Sequence, residues 1–445
     1  MNYSEEYQCK RMTAEDAASL VKSGDWIDYG AHQSFPALID RALAHRKEEL
    51  TDVKIRGLIM NRPLAVVEAD PEQEHFTYNS WYTVANERKL VDRGQCFFSP
   101  MLFRNLSSYY ERFLTVNVAY LAVAPMDEHG YFNLSINTCH LRSVIERADK
   151  VILEVNENLP RIFGLGNTVH ISEVDGIVEG EHDPLVEIPS VPGGEIGDAI
   201  AKQIVPQMRD GSCIQLGVGG MPDAIGKEIA ASDLKDLGVH SELLVNAYLD
   251  MARAGKLTNL GKKGIFRGKS VFGLVYGSQE LYDWAAAEDA SCICPMHYVN
   301  DPRVIREIDN FVSINSCIGV DLYGQISSES AGTRHLSGTG GQLDFMTGAY
   351  DNPTSQSFII VASTFTDKKG ELHSNIRPSF DGGDIITDPR SQASTIVTEY
   401  GMAPLAGRTT WERAEALINI AHPHFREELI AEAEKRGIWR RSNQR

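Results

Sequence analysis

Helical and strand patterns alternate along this chain, so the sequence predicts an α/β protein with two tandem α/β domains, residues 1–190 and 191–445. Two further observations support this. A unit of helix, Gly-polar break, short strand, glycine loop and Pro-started helix opens near residue 13 and again near residue 199. Between the copies, Glu187-Ile-Pro-Ser-Val-Pro-Gly-Gly-Glu195 has turn residues and no apolar period, which marks a linker near residue 190. The length, 445 residues, also exceeds the usual single domain.

In chain order, Thr13 caps a helix whose first turn is acidic (Glu15, Asp16) and whose apolar residues then recur at helical spacing. Ser23-Gly-Asp ends it, and Trp26-Ile-Asp-Tyr-Gly30 reads as a strand. A helix starts at Pro36, since proline suits a first helical turn. Later strands are expected at Val53–Ile59, Val116–Val123 and Lys150–Val155. In the second copy a helix from Ala199 leads through Asp210-Gly-Ser to the strand ending at Gly217, and Met221-Pro opens the next helix. Ser232–Leu237 reads as an acidic helical turn, followed by Gly238–Asn246 with its apolar run Leu243-Leu-Val. The last long amphipathic helix is Trp411–Ala421.

Composition narrows the function. Forty-three basic against sixty-one acidic residues give a net charge of −18, a surface that repels nucleic-acid backbones and anionic lipid. Neither is expected as a partner. No run of eighteen apolar residues occurs, so no membrane span is expected, and the acidic opening Met1–Gln8 lacks the basic and apolar regions of a secretory leader. Seven scattered cysteines argue for reduced thiols in a cytoplasm. Cys292-Ile-Cys294 has no second pair at zinc spacing and reads as strand packing. His422-Pro-His424 has the wrong spacing for two ligands on one helical face and reads as a cap, while Asp127–Asn133 lacks the alternating oxygens of a calcium loop. No metal is expected. Neither a G-x-S-x-G elbow nor a P-loop lysine is present.

Glu242 is the residue of most interest. It follows the acidic stretch and precedes apolar residues, so it is either a solvated glutamate at a strand end or a nucleophile whose weakened hydration strengthens its attack. Four glycine loops accompany it. Leu216–Pro222 lies between a strand and a helix, where backbone amides favour an anion, or else it is a tight turn. It resembles a dinucleotide fingerprint, but Pro222 stands where the third glycine belongs, which counts against a nicotinamide-dependent reading. Leu336–Phe345 packs three glycines beside Gln342 and Asp344, which alternate as on a strand leaving a site; glycine lets backbone come close to a ligand. Asp381-Gly-Gly-Asp reads as a surface hairpin turn. Val397–Gly401 sets Glu399 at a strand end, either acting on substrate or holding a neighbouring loop.

Several of these stretches carry a resemblance to a known family. Gly217-Val-Gly-Gly-Met-Pro222, Gly238-Val-His-Ser-Glu242, Ser337-Gly-Thr-Gly-Gly-Gln-Leu-Asp-Phe345 and Val397-Thr-Glu-Tyr-Gly401 stand in the order and spacing of the acetyl-CoA hydrolase/transferase family. Glu154–Arg161 and Arg413–Arg426 fit the same pattern, and the ending Ile438-Trp-Arg-Arg-Ser-Asn443 resembles its butyryl-CoA:acetate CoA-transferase branch. The 4-hydroxybutyrate CoA-transferases are the next branch. The resemblance covers essentially the whole chain.

What the resemblance implies is specific. The fold would be two open α/β domains of the CoA-transferase type with the active site between them. Glu242 would be the nucleophile that carries CoA as a glutamyl thioester, exchanging it between a short-chain acyl-CoA and a carboxylate. Coenzyme A would be a substrate and covalent intermediate, with no prosthetic group. Gly217, Val218, Gly219, Gly220 and Met221 would contact CoA through main chain, and Gly340 and Gly341 would lie at its thioester end. Cys317 and Lys368 are expected near the pantetheine and the phosphates. The family's Thr-Glu-Met with a following Asp is here Ser241-Glu242-Leu243 and Asn246, and the Gly30–Phe35 loop also differs; both departures bear on acyl preference. A hydrolase of the same fold is the alternative, and a homodimer is the base-rate assembly.

Overall fold

The computed structural model describes residues 3–443. Two compact units divide the chain. One runs to Ile188 and takes in Val271–Val299 and Leu336–Gly340; the other comprises Pro189–Ser270, Asn300–His335 and the chain from Gly341. The units are therefore discontinuous in sequence. The reason is local: the Gly273 carbonyl accepts from Thr138 and Cys139, Val275 donates to Ile136, Leu165 donates to Ile293 and Ile293 to Phe163, which ties Val271–Val299 to the first unit.

The first unit holds an all-parallel sheet in the order Phe97–Phe98, Phe76–Ser80, Val53–Gly57, Trp26–Asp28, Val118–Val123, Lys150–Val155, Gly176–Glu179. Val118–Val123 is buried at every position, as a central parallel strand covered on both faces must be. In the second unit the order is Gly238–Leu244, Cys213–Leu216, Phe311–Ser316, Gln356–Ile360, Thr395–Thr398 and Gly401–Pro404, parallel except for the last pair. Each unit thus sets the first strand of its sheet between the second strand and a later one. That is a topological switch point, beyond whose carboxyl end open α/β sheets bind ligands. The repeat legible in the sequence falls there twice: Gly30 (φ +64°) follows Trp26–Asp28, and Gly219 (φ +119°) follows Cys213–Leu216.

Local chemistry explains the elements. Thr13 accepts from the Asp16 amide while Asp16 accepts from the Thr13 amide, a reciprocal cap on helix Ala14–Ser19. Pro36 caps helix Ala37–Ala44. Helix Gly194–Ile204 packs against Gly220–Ala231 so closely that a Cβ on Gly193 would lie 2.6 Å from Ala224 Cβ, and one on Gly220 would lie 2.8 Å from the Pro192 carbonyl.

Two expectations are corrected. Ser232–Leu237 is a bend, not a helical turn: the Ser232 hydroxyl accepts from the Leu234 amide, and Asp236 adopts φ +55°, both incompatible with helix. Gln342 and Asp344 do not leave on a strand. Gly341 caps the α-helix Gln342–Tyr350, in which Leu343 and Met346, neither branched at Cβ, favour helix over sheet. Three residues of alternation cannot separate the two periods.

Candidate active site

Strand Gly238–Leu244 is buried from Gly238 to Ser241 and becomes partly exposed at Glu242 and Leu243. His240, two residues back on the same face of the pleat, packs its ring edge-on to Phe311, which stacks on Phe345. Glu242 therefore emerges above an aromatic floor. Asn300 donates from Nδ2 to Glu242 Oε2 at 2.7 Å and reaches Asp344 Oδ2 at 3.5 Å, so one amide group spans two carboxylates. The Gly341 amide also donates to Glu242.

Gly341 is required here by close approach, since its φ of −110° is open to any residue. A Cβ would lie 2.0 Å from Asn300 Nδ2 and 2.1 Å from Glu242 Oε2. Glycine at this position lets the main chain touch the carboxylate. Helix Gln342–Tyr350 is itself pressed close to Pro302–Ile305, where a Cβ on Gly348 would meet Ile305 Cβ at 2.5 Å, and this sets Asp344 opposite Asn300.

Burial chiefly, with the Asp344 charge adding to it, pushes the Glu242 carboxyl up to about 8, against the lowering effect of the Asn300 and Gly341 hydrogen bonds. A carboxylate so destabilised as an anion gains when it forms a neutral ester-like bond.

The glycine loop lies between strand Cys213–Leu216 and helix Gly220–Ala231. Gly217 donates to the Ile314 carbonyl at 3.3 Å, and Val218 is 41 % exposed. Gly219 is the N-cap, where its positive φ excludes side chains, and Gly220 and Met221 open the helix. Asp223 occupies the same first turn and accepts from the Val191 amide at 2.8 Å.

Family models for the acetyl-CoA hydrolase/transferase N-terminal and C-terminal domains match residues 1–189 and 277–433. The chain belongs to the acetyl-CoA hydrolase/transferase family. It is 49 % identical to a butyryl-CoA:acetate CoA-transferase of Anaerostipes caccae, with 100 % of both chains covered. It is 48 % identical to a probable butyrate:acetyl-CoA coenzyme A-transferase of Syntrophomonas wolfei, covering 99 % of this chain and 98 % of the relative. Among solved structures, RipA from Yersinia pestis superposes with a TM-score of 0.90 at 33 % identity, covering 98 % of this chain and 100 % of RipA.

Not every residue expected at the site of this family member gathers around Glu242. Gly341 does. At Gly340, with φ +56°, an added Cβ would lie 3.0 Å from the Tyr82 ring, and its carbonyl accepts from Phe103. Cys317 is buried in the apolar core with Val320, Leu322 and Ile359, where burial pushes its thiol up. Lys368 is exposed in the turn between Thr364–Thr366 and Leu372–Ser374. On that same hairpin Asp367, Glu371 and His373 bring three donor atoms within 4.8 Å of one another. Asp367 there already accepts from the Lys369 and Glu371 amides and meets His373 at 3.1 Å. Glu399 accepts from the Ser363 amide and hydroxyl, holding the neighbouring loop, and the His422 ring caps the His424 amide. Sequence reasoning missed Asn300. Its setting, Val299-Asn-Asp-Pro302, reads only as a helix start, and no local signal marks its amide for another strand's carboxylate.

Proposed function

We propose that this chain is an acyl-CoA:carboxylate CoA-transferase, taking butyryl-CoA as the short-chain donor and acetate as acceptor. The single observation that carries the chemistry is Glu242: a carboxylate set over an aromatic floor, touched by the Gly341 main chain and raised toward 8. The full-length identity to butyryl-CoA:acetate CoA-transferases supports the substrates.

The reaction follows from these groups. The ionised Glu242 carboxylate attacks the thioester carbonyl, the carbon–sulfur bond breaks, and CoA leaves as thiolate with an acyl-glutamyl anhydride behind it. The thiolate then attacks the glutamyl carbonyl, expelling the free carboxylate and leaving CoA on Glu242 as a thioester. An incoming carboxylate reverses both steps and departs as the new acyl-CoA. Each half exchanges bonds of similar energy, so no ATP and no prosthetic group takes part. The amides of Asn300 and Gly341 point at the Glu242 carboxyl, whose remaining oxygen takes up charge when the thiolate attacks the glutamyl carbonyl, and close glycine packing limits water access to the thioester.

In the same proposal, main chain from Gly217 to Met221 receives CoA at the switch point of the second unit, and exposed Lys368 serves its phosphates. The boundary near residue 190 is supported by the end of the N-terminal family match at residue 189, with Val271–Val299 and Leu336–Gly340 of the 191–445 stretch returning to the first unit. A reducing cytoplasm suits the seven cysteines, which form no disulfide. A homodimer remains the base-rate assembly.

The test is to incubate the protein with butyryl-CoA, with and without acetate, and to follow acetyl-CoA and free thiol together. Acetyl-CoA formed only with acetate, with thiol flat, is the expected result. Thiol released without acetate would make the protein a hydrolase instead.

A further inference from the structure

Asn300 is fully buried, and the two ends of its amide are unequal. The Nδ2 end touches Glu242 at 2.7 Å and Asp344 at 3.5 Å, while Oδ1 has no hydrogen-bond partner. A buried amide left to itself would turn to satisfy both ends. Two carboxylates facing the same NH2 group remove that choice, because turning the amide would set its oxygen against two acceptors. Glu242 alone holds the amide unevenly through the cycle, since one of its oxygens leaves with the released acid and the other becomes an uncharged carbonyl, a weaker acceptor than the carboxylate. Asp344 is the acceptor that the chemistry leaves untouched.

We propose that Asp344 is a positioning residue for the transfer: it holds the Asn300 amide with NH2 toward Glu242 and places a fixed negative charge behind the nucleophile. This rests on the reading of Glu242 given above. Its geometry comes from the close packing of helix Gln342–Tyr350 on Pro302–Ile305, forced by Gly348, and not from any contact with substrate.

The charged surroundings reinforce it. Asp388, on the far side, is pushed up to about 7, first by burial and then by Glu329 and Asp344, against the hydrogen bond it receives from Gln342. Gln342 also donates to the Ser328 hydroxyl at 2.9 Å. On the strand of Glu242 itself, His240 packs its ring against Phe311. Asp344 thus acts on Glu242 across the Asn300 amide and on Asp388 as well. Forming a neutral glutamyl bond relieves this like-charge repulsion, so the negative field favours the step that consumes the anion.

Asp344→Asn keeps the volume and removes the charge. The expected result has three parts: the high-pH plateau of kcat falls by about tenfold, the acidic limb of kcat/KM moves about one unit toward lower pH, and KM for butyryl-CoA stays within about twofold. The deficit would therefore shrink as pH falls. A plateau that drops with the limb unmoved means Asp344 is merely structural and overturns the proposal, as does a variant identical to the parent. Should Asp344→Asn fail to fold, Asp344→Glu replaces it. That variant keeps the charge but displaces it, so the limb should stay in place while the plateau falls, and a limb that moves toward lower pH overturns the proposal. Glu242→Gln, assayed alongside, separates the two readings. Transfer surviving in Glu242→Gln sinks the nucleophile itself, whereas a dead Glu242→Gln with an unmoved limb in the Asp344 variant sinks only Asp344.

Discussion

Each unit holds a glutamate whose carboxyl is pushed well up, Glu87 fully buried and Glu242 at the partly exposed end of its strand, and the two are held in opposite ways. Glu87 in the first unit reaches about 7 and is surrounded by donors: the Tyr78 hydroxyl at 2.7 Å, the Met60 amide at 3.1 Å and the Val84 amide at 3.2 Å. It ties the start of its own helix to the strand Phe76–Ser80 and to the loop after Val53–Gly57. Glu242 reaches about 8 with only the Asn300 and Gly341 amides as donors and with Asp344 beside it. Burial raises both. What differs is the satisfaction of the anion, complete at Glu87 and partial, with a like charge added, at Glu242, the pattern expected of a structural and of a reacting carboxylate.

The largest effect expected from this comparison is on transfer itself. Glu242→Ala and Glu242→Gln should lower acetyl-CoA formation by roughly 10⁴-fold or more, as removal of a covalent nucleophile does. Glu87→Gln should leave kcat within about threefold; if the two variants lose activity alike, burial and not partial satisfaction is what matters. Next comes Gly341→Ala. Its methyl group would overlap Asn300 and Glu242, and a displacement near 1 Å at the reacting carboxylate should cost about 10²-fold in kcat with the fold retained by circular dichroism.

For Glu87→Gln the damage should lie in stability. The new amide would meet donors with a donor, costing about 1–3 kcal/mol in urea unfolding, whereas Glu242→Gln should cost nothing or stabilise the protein at pH 8.5. The smallest effect is on pH dependence. Both glutamates have folded values above the unfolded one, so their contribution is fully present below about pH 4.5 and is lost as pH rises through about 7 and 8. His32 and His140, lowered to about 3 by burial, act in the opposite sense and lose stability as pH falls below about 6.5. Asp28, Asp40 and Asp388, raised to about 6, 7 and 7, add to the glutamates. The thermal midpoint should accordingly be about 2–4 °C higher at pH 5.5 than at pH 8.5, by calorimetry. A midpoint that rises toward pH 8.5 would show that the donors around Glu87 outweigh its burial.

Much of this was legible in the residues because it is local. The Thr13 cap, the break before Trp26, the start at Pro36 and the glycine loops after each first strand follow from backbone preference and side-chain period within a few positions. The family motifs around Gly217, Glu242 and Ser337 are equally contiguous. Their order along the chain therefore points to an α/β fold and to one glutamate. The misreadings were also local, at Ser232–Leu237 and at Gln342–Asp344, where a side-chain hydrogen bond or a glycine cap settles a segment too short for its period to show.

Tertiary structure alone decided what surrounds the glutamate. Asn300 lies fifty-eight positions from Glu242, and Asp344 lies forty-four beyond Asn300. They meet because strand Gly238–Leu244 and helix Gln342–Tyr350 converge through close packing at Gly341 and Gly348. Whether a carboxylate is solvated, satisfied or strained depends on groups brought near it by packing, and sequence spacing carries no record of that distance. The sequence named the glutamate; the packing of the second unit set Asn300, Gly341 and Asp344 around it.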